Sequence, residues 1–167
     1  MGVGKKSHLV YAIDFGLAKR FIDPKTGKHN AHCFKNTVAG TVRYQSLNAH
    51  LKWEQSRRDD LEAIGYVLAY FLRGGNLPWS LKQNKDDPNK MKKRDRELLQ
   101  LKYKQETPFE ELFGGHPDEF VQFMKYSRNL DFEQRPNYQK LRQLFEKLML
   151  QSNQEHDFEY DWVIKKR

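Results

Sequence analysis

The stretch between residues 57 and 72 most constrains how this chain can fold. Its larger apolar side chains recur at the spacing of one helical face, at Leu61, Ile64, Leu68, Phe71 and Leu72. Mostly apolar residues fill the other faces as well, so the pattern predicts a core helix over residues 57–73 with neighbours on all sides. Asp59 and Asp60 can cap its first turn, and the Gly74-Gly75 pair ends it.

The composition is typical of one folded domain with a charged surface. The 167 residues are 38% hydrophobic and 31% charged, and the apolar run of the helix is shorter than the roughly 20 residues of a membrane span. Cys33 is the single cysteine, which excludes an internal disulfide. The N-terminus shows no apolar leader, and both observations predict a cytoplasmic or nuclear protein. The net charge of +8 predicts a surface that attracts anions: phosphate groups, acidic peptides, nucleic acid or anionic lipid.

An apolar, β-branched run near the start of the chain predicts a short strand over residues 9–13. This run leads directly into Asp14-Phe15-Gly16. Between an apolar strand and Leu17-Ala18-Lys19, the tripeptide matches the metal-binding turn of protein kinases, in which the carboxylate holds Mg²⁺ on nucleotide phosphates. An ordinary turn at the end of a strand is the alternative interpretation.

Residues 19–44 are predicted to form a long ordered loop, because they combine turn residues, basic side chains and little periodicity. The loop ends in Ala-Gly-Thr-Val-Arg-Tyr at 39–44, and Ser-Leu-Asn at 46–48 and Glu-Gln-Ser-Arg-Arg-Asp-Asp-Leu-Glu at 54–62 follow. These motifs resemble the casein kinase I family of serine/threonine kinases, since most protein kinases carry Ala-Pro-Glu where this chain has Ser-Leu-Asn. The resemblance continues to Tyr-Asp-Trp at 160–162.

What the chain resembles is the family's C-terminal lobe from just after the catalytic loop. The resemblance therefore implies a mainly α, protein-kinase-like C-terminal lobe with a short N-terminal β-strand. Its expected parts are a strand and Asp-Phe-Gly turn over 9–16, an activation segment over 17–48, the central helix over 57–73, an insertion and a basic helix over 81–104, C-terminal helices over 117–150 and a tail over 151–167. Asp87 and Pro88 predict the start of the basic helix, and we expect the tail to pack back on the lobe.

The resemblance implies ATP and Mg²⁺ as cofactors of the parent kinase, with Asp14, Phe15 and Gly16 beside the nucleotide. The chain contains no His-Arg-Asp catalytic loop, no glycine-rich strand pair and no lysine of the Val-Ala-Ile-Lys type. Phosphoryl transfer depends on positioning and charge stabilisation by these groups. We therefore expect that this chain alone neither binds ATP and Mg²⁺ tightly nor transfers phosphate.

A basic substrate site is expected at the end of the activation segment. Arg43 resembles the family's basic residue that binds a phosphate or carboxylate on an already phosphorylated substrate, and a surface arginine is the alternative. Lys93, Arg94 and Arg96 are candidates for the second half of this anion site, although the insertion interrupts the match and a solvated helix face is the alternative. Thr41 resembles the threonine that contacts the catalytic Asp. The expected partners are acidic or phosphorylated protein substrates.

Asp60 and Arg135 are expected to have supporting roles. The resemblance implies that Asp60 holds the backbone of the catalytic loop, and helix capping is the alternative where that loop is absent. Arg135 matches the arginine that pairs with the glutamate of Ala-Pro-Glu, which this chain lacks. His29, His32 and Cys33 are spaced like half a zinc site, but no fourth ligand follows, so we interpret them as polar loop residues.

Two explanations of the short chain stay open. Met1 is an internal methionine of an incomplete gene sequence for a full kinase, or the short chain is real and acts as a non-catalytic binding module. An isolated lobe exposes apolar surface that its missing parts would cover, which predicts self-association, whereas a self-sufficient module would stay monomeric. A non-specific nucleic-acid binder, suggested by charge alone, is disfavoured because the basic groups lack interleaved aromatic side chains. No membrane partner is expected.

Overall fold

The computed structural model describes residues 1–35, 40–80, 92–155, 157 and 160, and these form a mainly helical structure, as predicted. The helices are α1 (Leu47–His50), α2 (Arg57–Leu72), α3 (Lys93–Glu106), α4 (Phe109–Leu112), α5 (Asp118–Arg128) and α6 (Tyr138–Gln151). Short 3-10 turns at Gly4–Lys6 and Phe15–Leu17 precede them. No helix among the described residues is both long and apolar enough to cross a bilayer.

Helix α2 lies at the centre and ends where the sequence predicted. The backbone N–H of Ser56 donates to Asp59 Oδ2 over 2.8 Å, which caps the first turn. The helix packs most extensively against α5. Gly65 allows this close approach, since a Cβ at that position would lie 1.9 Å from the sulfur of Met124.

The prediction that α2 has neighbours on every side is wrong for one face. Ile64 and Phe71 are 49% and 70% exposed. Within the described part of the chain no element packs over this face. The apolar spacing identified the helix correctly, but spacing alone cannot tell which apolar residues acquire a partner.

The hydrophobic core lies between α2, α4, α5 and α6. Its buried apolar residues are Leu61, Tyr66, Ala69, Leu77, Trp79, Leu112, Phe113, Val121, Phe123, Met124, Leu130 and Leu141. Phe120 and Phe145 pack against this cluster, with ring centroids 5.3 Å apart. The two predicted C-terminal helices therefore form, as α5 and α6, and they close the core from one side.

The predicted strand over residues 9–13 is not formed. These residues have no regular secondary structure, and Val10 and Ile13 are both 82% exposed. A strand is stable only when a neighbouring strand pairs with its backbone, and no such neighbour exists among the described residues. The pairing present in the described ranges consists of isolated antiparallel bridges, Ile22 with His29 and Phe34 with Trp53.

Two predictions fall partly outside the described residues. The insertion lies within the undescribed residues 81–91, while the basic helix itself is α3. The predicted helix start at Asp87 and Pro88 is wrong, because α3 begins at Lys93 and Lys92 before it is extended. Most of the tail is likewise outside the described ranges. Tyr160, which is described, donates its hydroxyl to the backbone oxygen of His8 over 3.3 Å, so this point of the tail contacts the N-terminal region.

Candidate functional site

The Asp-Phe-Gly turn is formed and exposed. Asp14 has φ of 61° and ψ of 71°, a left-handed conformation that aspartate tolerates better than most residues. Its Oδ1 accepts a hydrogen bond from the backbone of Gly16 at 3.3 Å, and Phe15 is 69% exposed. The carboxylate is therefore accessible, as a metal ligand must be. Among the described residues no group of three or more His, Cys, Asp or Glu side chains could hold a metal ion.

A cavity of about 660 Å³ opens beside this turn. It brings together Asp14 and Phe15 from the turn with residues that precede and begin α2. The charged side chains in its lining are Asp14, Lys19, Arg20, Lys35, Glu54, Arg57 and Asp60. The structure thus places three of the predicted site residues, Asp14, Phe15 and Asp60, at one cavity.

Two lysines of this cavity are paired with one buried carboxylate. Lys19 Nζ lies 2.5 Å from Glu54 Oε1 and Lys35 Nζ lies 2.7 Å from Oε2, while the Glu54 side chain is only 5% exposed. Burial raises the pKa of Glu54, but the hydrogen bonds and charges of the two lysines outweigh this and hold the pKa below its ordinary value. The hydrogen bond to Glu54 correspondingly raises the pKa of Lys35. Glu54 therefore ties two points of the activation segment to the turn before α2.

Aromatic contacts fix the first half of the activation segment. His32 stacks on Phe132 with ring centroids 4.6 Å apart, and the His29 ring meets Phe132 edge-on at 4.8 Å. The Arg57 guanidinium lies 4.3 Å from the centroid of Phe21. The two histidines are thus packing residues of the loop, which agrees with their interpretation as loop residues.

Arg43 lies on an aromatic platform. Its guanidinium carbon is 5.3 Å from the ring centroid of Tyr70 and 5.9 Å from that of Tyr44. Its backbone oxygen accepts a hydrogen bond from the Trp79 indole at 2.8 Å. Within the described ranges no carboxylate pairs with its guanidinium. A half-buried arginine that stacks on rings keeps its N–H edge available for an anion.

The other three candidates of the anion site lie on the first turns of α3. This helix packs against α1, which follows Arg43 in the chain. Lys93 and Arg94 are exposed, and Lys93 is 3.9 Å from Glu97 on its own helix, whereas Arg96 is half-buried. Their role in anion binding stays a prediction.

Thr41, Asp60 and Arg135 have different surroundings from those the resemblance implied. Thr41 is exposed, and its backbone oxygen accepts from Tyr44 N at 2.9 Å. Asp59 caps α2, whereas Asp60 lines the cavity. Burial of the Asp60 carboxylate raises its pKa, and the charge of Asp59 raises it further. Arg135 is exposed and has no ion-pair partner among the described residues.

An ion pair between Arg128 and the buried carboxylate of Glu62 involves residues that sequence reasoning did not identify. Arg128 Nη2 lies 2.9 Å from Glu62 Oε1 and 2.6 Å from the Tyr66 hydroxyl, which itself donates to Glu62 Oε1 at 2.7 Å. Leu47 N donates to the same carboxylate oxygen at 3.1 Å. The network therefore joins α1, α2 and α5. A glutamate within an apolar helix was the only sequence signal that could have indicated it.

Lys104 was also missed, because a lysine in a basic helix is normally solvated. Here it is 1% exposed. Its ammonium donates to the backbone oxygens of Val42 and Gln45, each at 2.7 Å. It also lies 5.1 Å from the ring centroid of Tyr66 and 5.4 Å from that of Trp79. The fold thus places a buried cation directly under the loop that carries Arg43.

The fold and the turn define the class of protein: a helical lobe that carries an Asp-Phe-Gly turn, an activation segment and a central buried helix is the C-terminal lobe of a protein kinase. No family model matches the chain. A curated relative, casein kinase I homolog 3 of Schizosaccharomyces pombe, is 45% identical over 160 residues, which is 96% of this chain and 35% of that relative.

The chain belongs to the casein kinase I family, as its motifs indicated. It spans about a third of the length of the curated relative it matches.

Proposed function

We propose that this chain is the C-terminal-lobe portion of a casein kinase I-type serine/threonine kinase, which in the parent protein contributes to ATP-dependent phosphorylation of serine or threonine in acidic or phosphorylated substrates. The chain alone binds such partners through Arg43 and transfers no phosphate. The parent kinase works in the cytoplasm or nucleus. The observation that carries the proposal is the placement of Arg43, stacked on Tyr44 and Tyr70 with its guanidinium edge unpaired within the described ranges.

The lack of transfer follows from the groups present at the Asp14 turn. Mg²⁺ on a nucleotide is normally held by one or two carboxylates together with the phosphates, and a lysine grips the phosphates. Asp14 supplies one carboxylate, and Asp60 lines the same cavity. Lys19 and Lys35 are both engaged by Glu54, and no catalytic base occurs in the sequence. These residues do not complete a site for nucleotide and Mg²⁺, so we derive no catalytic step from them.

A kinase assay tests this part of the proposal. We expect the purified 167-residue chain, incubated with radiolabelled ATP, Mg²⁺ and casein, to transfer no label above that of an Asp14→Ala variant. Transfer by the wild type that disappears on Asp14→Ala would show that the chain is itself an enzyme.

Binding to a phosphoserine peptide and its unphosphorylated twin tests the anion site. A guanidinium holds a phosphate through two parallel hydrogen bonds, so we expect tighter binding of the phosphopeptide, weakened about tenfold by Arg43→Ala and also weakened by added salt. Arg142→Ala, which removes an exposed arginine from α6, is the matched control and should bind as the wild type does. Equal binding by wild type and Arg43→Ala would identify Arg43 as mere surface charge. Sequence-selective binding of DNA at physiological salt would contradict the assignment of the basic residues to a site for acidic or phosphorylated proteins.

Self-association is a further part of the proposal. Val3, Val10 and Ile13 are each more than 80% exposed, and the face of α2 with Ile64 and Phe71 is open within the described residues. Apolar surface of this kind favours association. We expect light scattering to report a dimer or larger species, and a Val10→Ser, Ile13→Ser double variant to shift it toward monomer. A wild type that stays monomeric at high concentration would favour a self-sufficient binding module.

A further inference from the structure

Buried side chains donate hydrogen bonds to the backbone oxygens of residues 41–45, which we call the Arg43 loop. Lys104 binds the carbonyls of Val42 and Gln45, and Trp79 binds the carbonyl of Arg43 between them. Within the loop, Tyr44 N donates to the oxygen of Thr41. The carbonyls of Val42, Arg43 and Gln45 each accept from a side-chain donor, and these bonds fix the backbone on both sides of Arg43. The direction of its side chain is thereby fixed as well.

Lys104 supplies two of these bonds from one ammonium. Side chains that face it come from every helix around it: Glu62 and Tyr66 from α2, Arg128 from α5 and His50 from α1. Glu62 is already shared by Arg128 and the Tyr66 hydroxyl. Burial, opposed by the charge of Glu62 and reinforced by that of Arg128, lowers the pKa of Lys104 to about 7.

We propose that Lys104 is the positioning residue of the anion site: its protonated amine holds the Arg43 loop in the conformation that presents the Arg43 guanidinium to a phosphate. This inference rests on the proposed function, since it concerns the same site. Charge-assisted hydrogen bonds are roughly twice as strong as neutral ones. Loss of the Lys104 proton therefore loosens the loop and also removes a positive charge near the anion.

The coupling is reciprocal. An anion at Arg43 favours the protonated form of Lys104, and protonation of Lys104 favours the anion. Phosphopeptide affinity should therefore fall by about fivefold between pH 6.5 and pH 9. Phosphoserine is largely dianionic in this window because its second pKa is about 6. Burial and the charge of Lys104 lower the pKa of His50.

Two measurements on the unliganded chain test the hold of Lys104 on the loop. Lys104→Met keeps the length of the side chain but removes the donor; we expect the amide of Tyr44 to exchange with solvent at least tenfold faster than in the wild type. Lys102→Met, two residues away with its side chain 65% exposed, is the matched control and should not change that exchange. In the wild type the indole N–H resonance of Trp79 should titrate with a midpoint near pH 7.

Phosphoserine-peptide titrations then connect the loop to the site. We expect Lys104→Met to bind about fivefold more weakly at pH 6.5 and to lose the pH dependence of the wild type, while Lys102→Met retains both. Unchanged Tyr44 exchange and unchanged affinity in Lys104→Met overturn the inference. If Lys104→Met does not fold, a Trp79 resonance that is constant from pH 6 to 9 in the wild type overturns it equally.

The same experiments separate this inference from the proposed function. Wild type and Arg43→Ala that bind the phosphopeptide equally refute the anion site at Arg43. The exchange and Trp79 measurements still decide whether Lys104 holds the loop, because neither requires a ligand.

Discussion

The helical core around α2 and the first 35 residues of the chain are held together by different means. In the core, apolar side chains interlock and the polar groups among them are paired, as in the network of Glu62, Tyr66 and Arg128. In the first 35 residues, large apolar side chains such as Val10 and Ile13 face solvent, and the attachment depends on ring contacts and on Glu54. Apolar side chains are thus buried where helices cover one another, and many of them stay exposed in the first 35 residues.

Removal of Arg128 should have the largest effect on stability. Arg128→Leu leaves the Glu62 carboxylate, 4% exposed, without its cation, and breaking a buried pair in this way costs about 3 kcal/mol. We expect urea denaturation to show this loss in the free energy of unfolding. Arg135→Leu makes the same change at an exposed arginine and should alter stability by less than about 0.5 kcal/mol. Similar losses in the two variants would contradict the role assigned to the network.

The contact of α2 with α5 should be nearly as sensitive. Gly65→Ala places a methyl group against the fully buried Met124 side chain, and overpacking of this kind costs about 2 kcal/mol although alanine is the better helix former. The thermal unfolding midpoint measures this. Gly114→Ala, where the new carbon meets carbonyl oxygens at 3.4 Å without other contacts, is the matched control. A Gly65→Ala variant more stable than the wild type would show that the helices can move apart freely.

The buried Lys104 should make core stability depend on pH. Its pKa is about 7 in the fold and about 10.4 in an unfolded chain, so between these values the unfolded state binds more protons. Stability therefore rises with pH, by at most about 1.4 kcal/mol per unit and by about 2 kcal/mol from pH 7 to pH 9.

Urea denaturation at pH 7, 8 and 9 tests whether stability increases with pH. The free energy of unfolding should increase in the wild type and stay flatter in Lys104→Met. A wild type whose stability falls over that range would show that Lys104 is solvated and that its pKa is not lowered.

The smallest global effect is expected in the N-terminal region. Glu54→Gln removes the charge shared by Lys19 and Lys35, but both lysines are largely exposed, so the midpoint of thermal unfolding should change little. Hydrogen exchange of residues 19–35 should nevertheless rise by about threefold. Glu110→Gln breaks an exposed pair with Lys125 and should leave that exchange unchanged. Cooperative loss of the whole fold in Glu54→Gln would mean that the two regions form one unit.

Much of the fold was predictable because helices carry a local signal. The spacing of Leu61, Leu68 and Leu72 identified α2 to within a residue, and the C-terminal helices expected over 117–150 form as α5 and α6. The strand over residues 9–13 was wrong for a corresponding reason. Strand propensity describes a fit to a neighbouring strand, and the described residues provide none.

Some residues of the candidate site were likewise predictable from local sequence, and others were not. Local motifs identified Asp14 and Arg43, since their neighbours in sequence carry the resemblance. Lys104 and Glu54 were not identified, because their partners are distant in the sequence. The partners of Lys104 lie 59 and 62 residues away, and Lys19, a partner of Glu54, lies 35 residues away. From sequence alone a charged residue is interpreted as exposed, and only the folded structure shows that it is buried.

The sequence by itself determined the helices, the Asp-Phe-Gly turn and the family, because each depends on residues that are close together in the chain. Only the tertiary structure decided which charges are buried and what they bind. Burial of Lys104, Glu62 and Glu54 requires several separate segments to exclude water at one point, and the cost of an unpaired buried charge then selects their partners. That selection depends on three-dimensional contact, so local sequence patterns could not reveal the cation beneath Arg43.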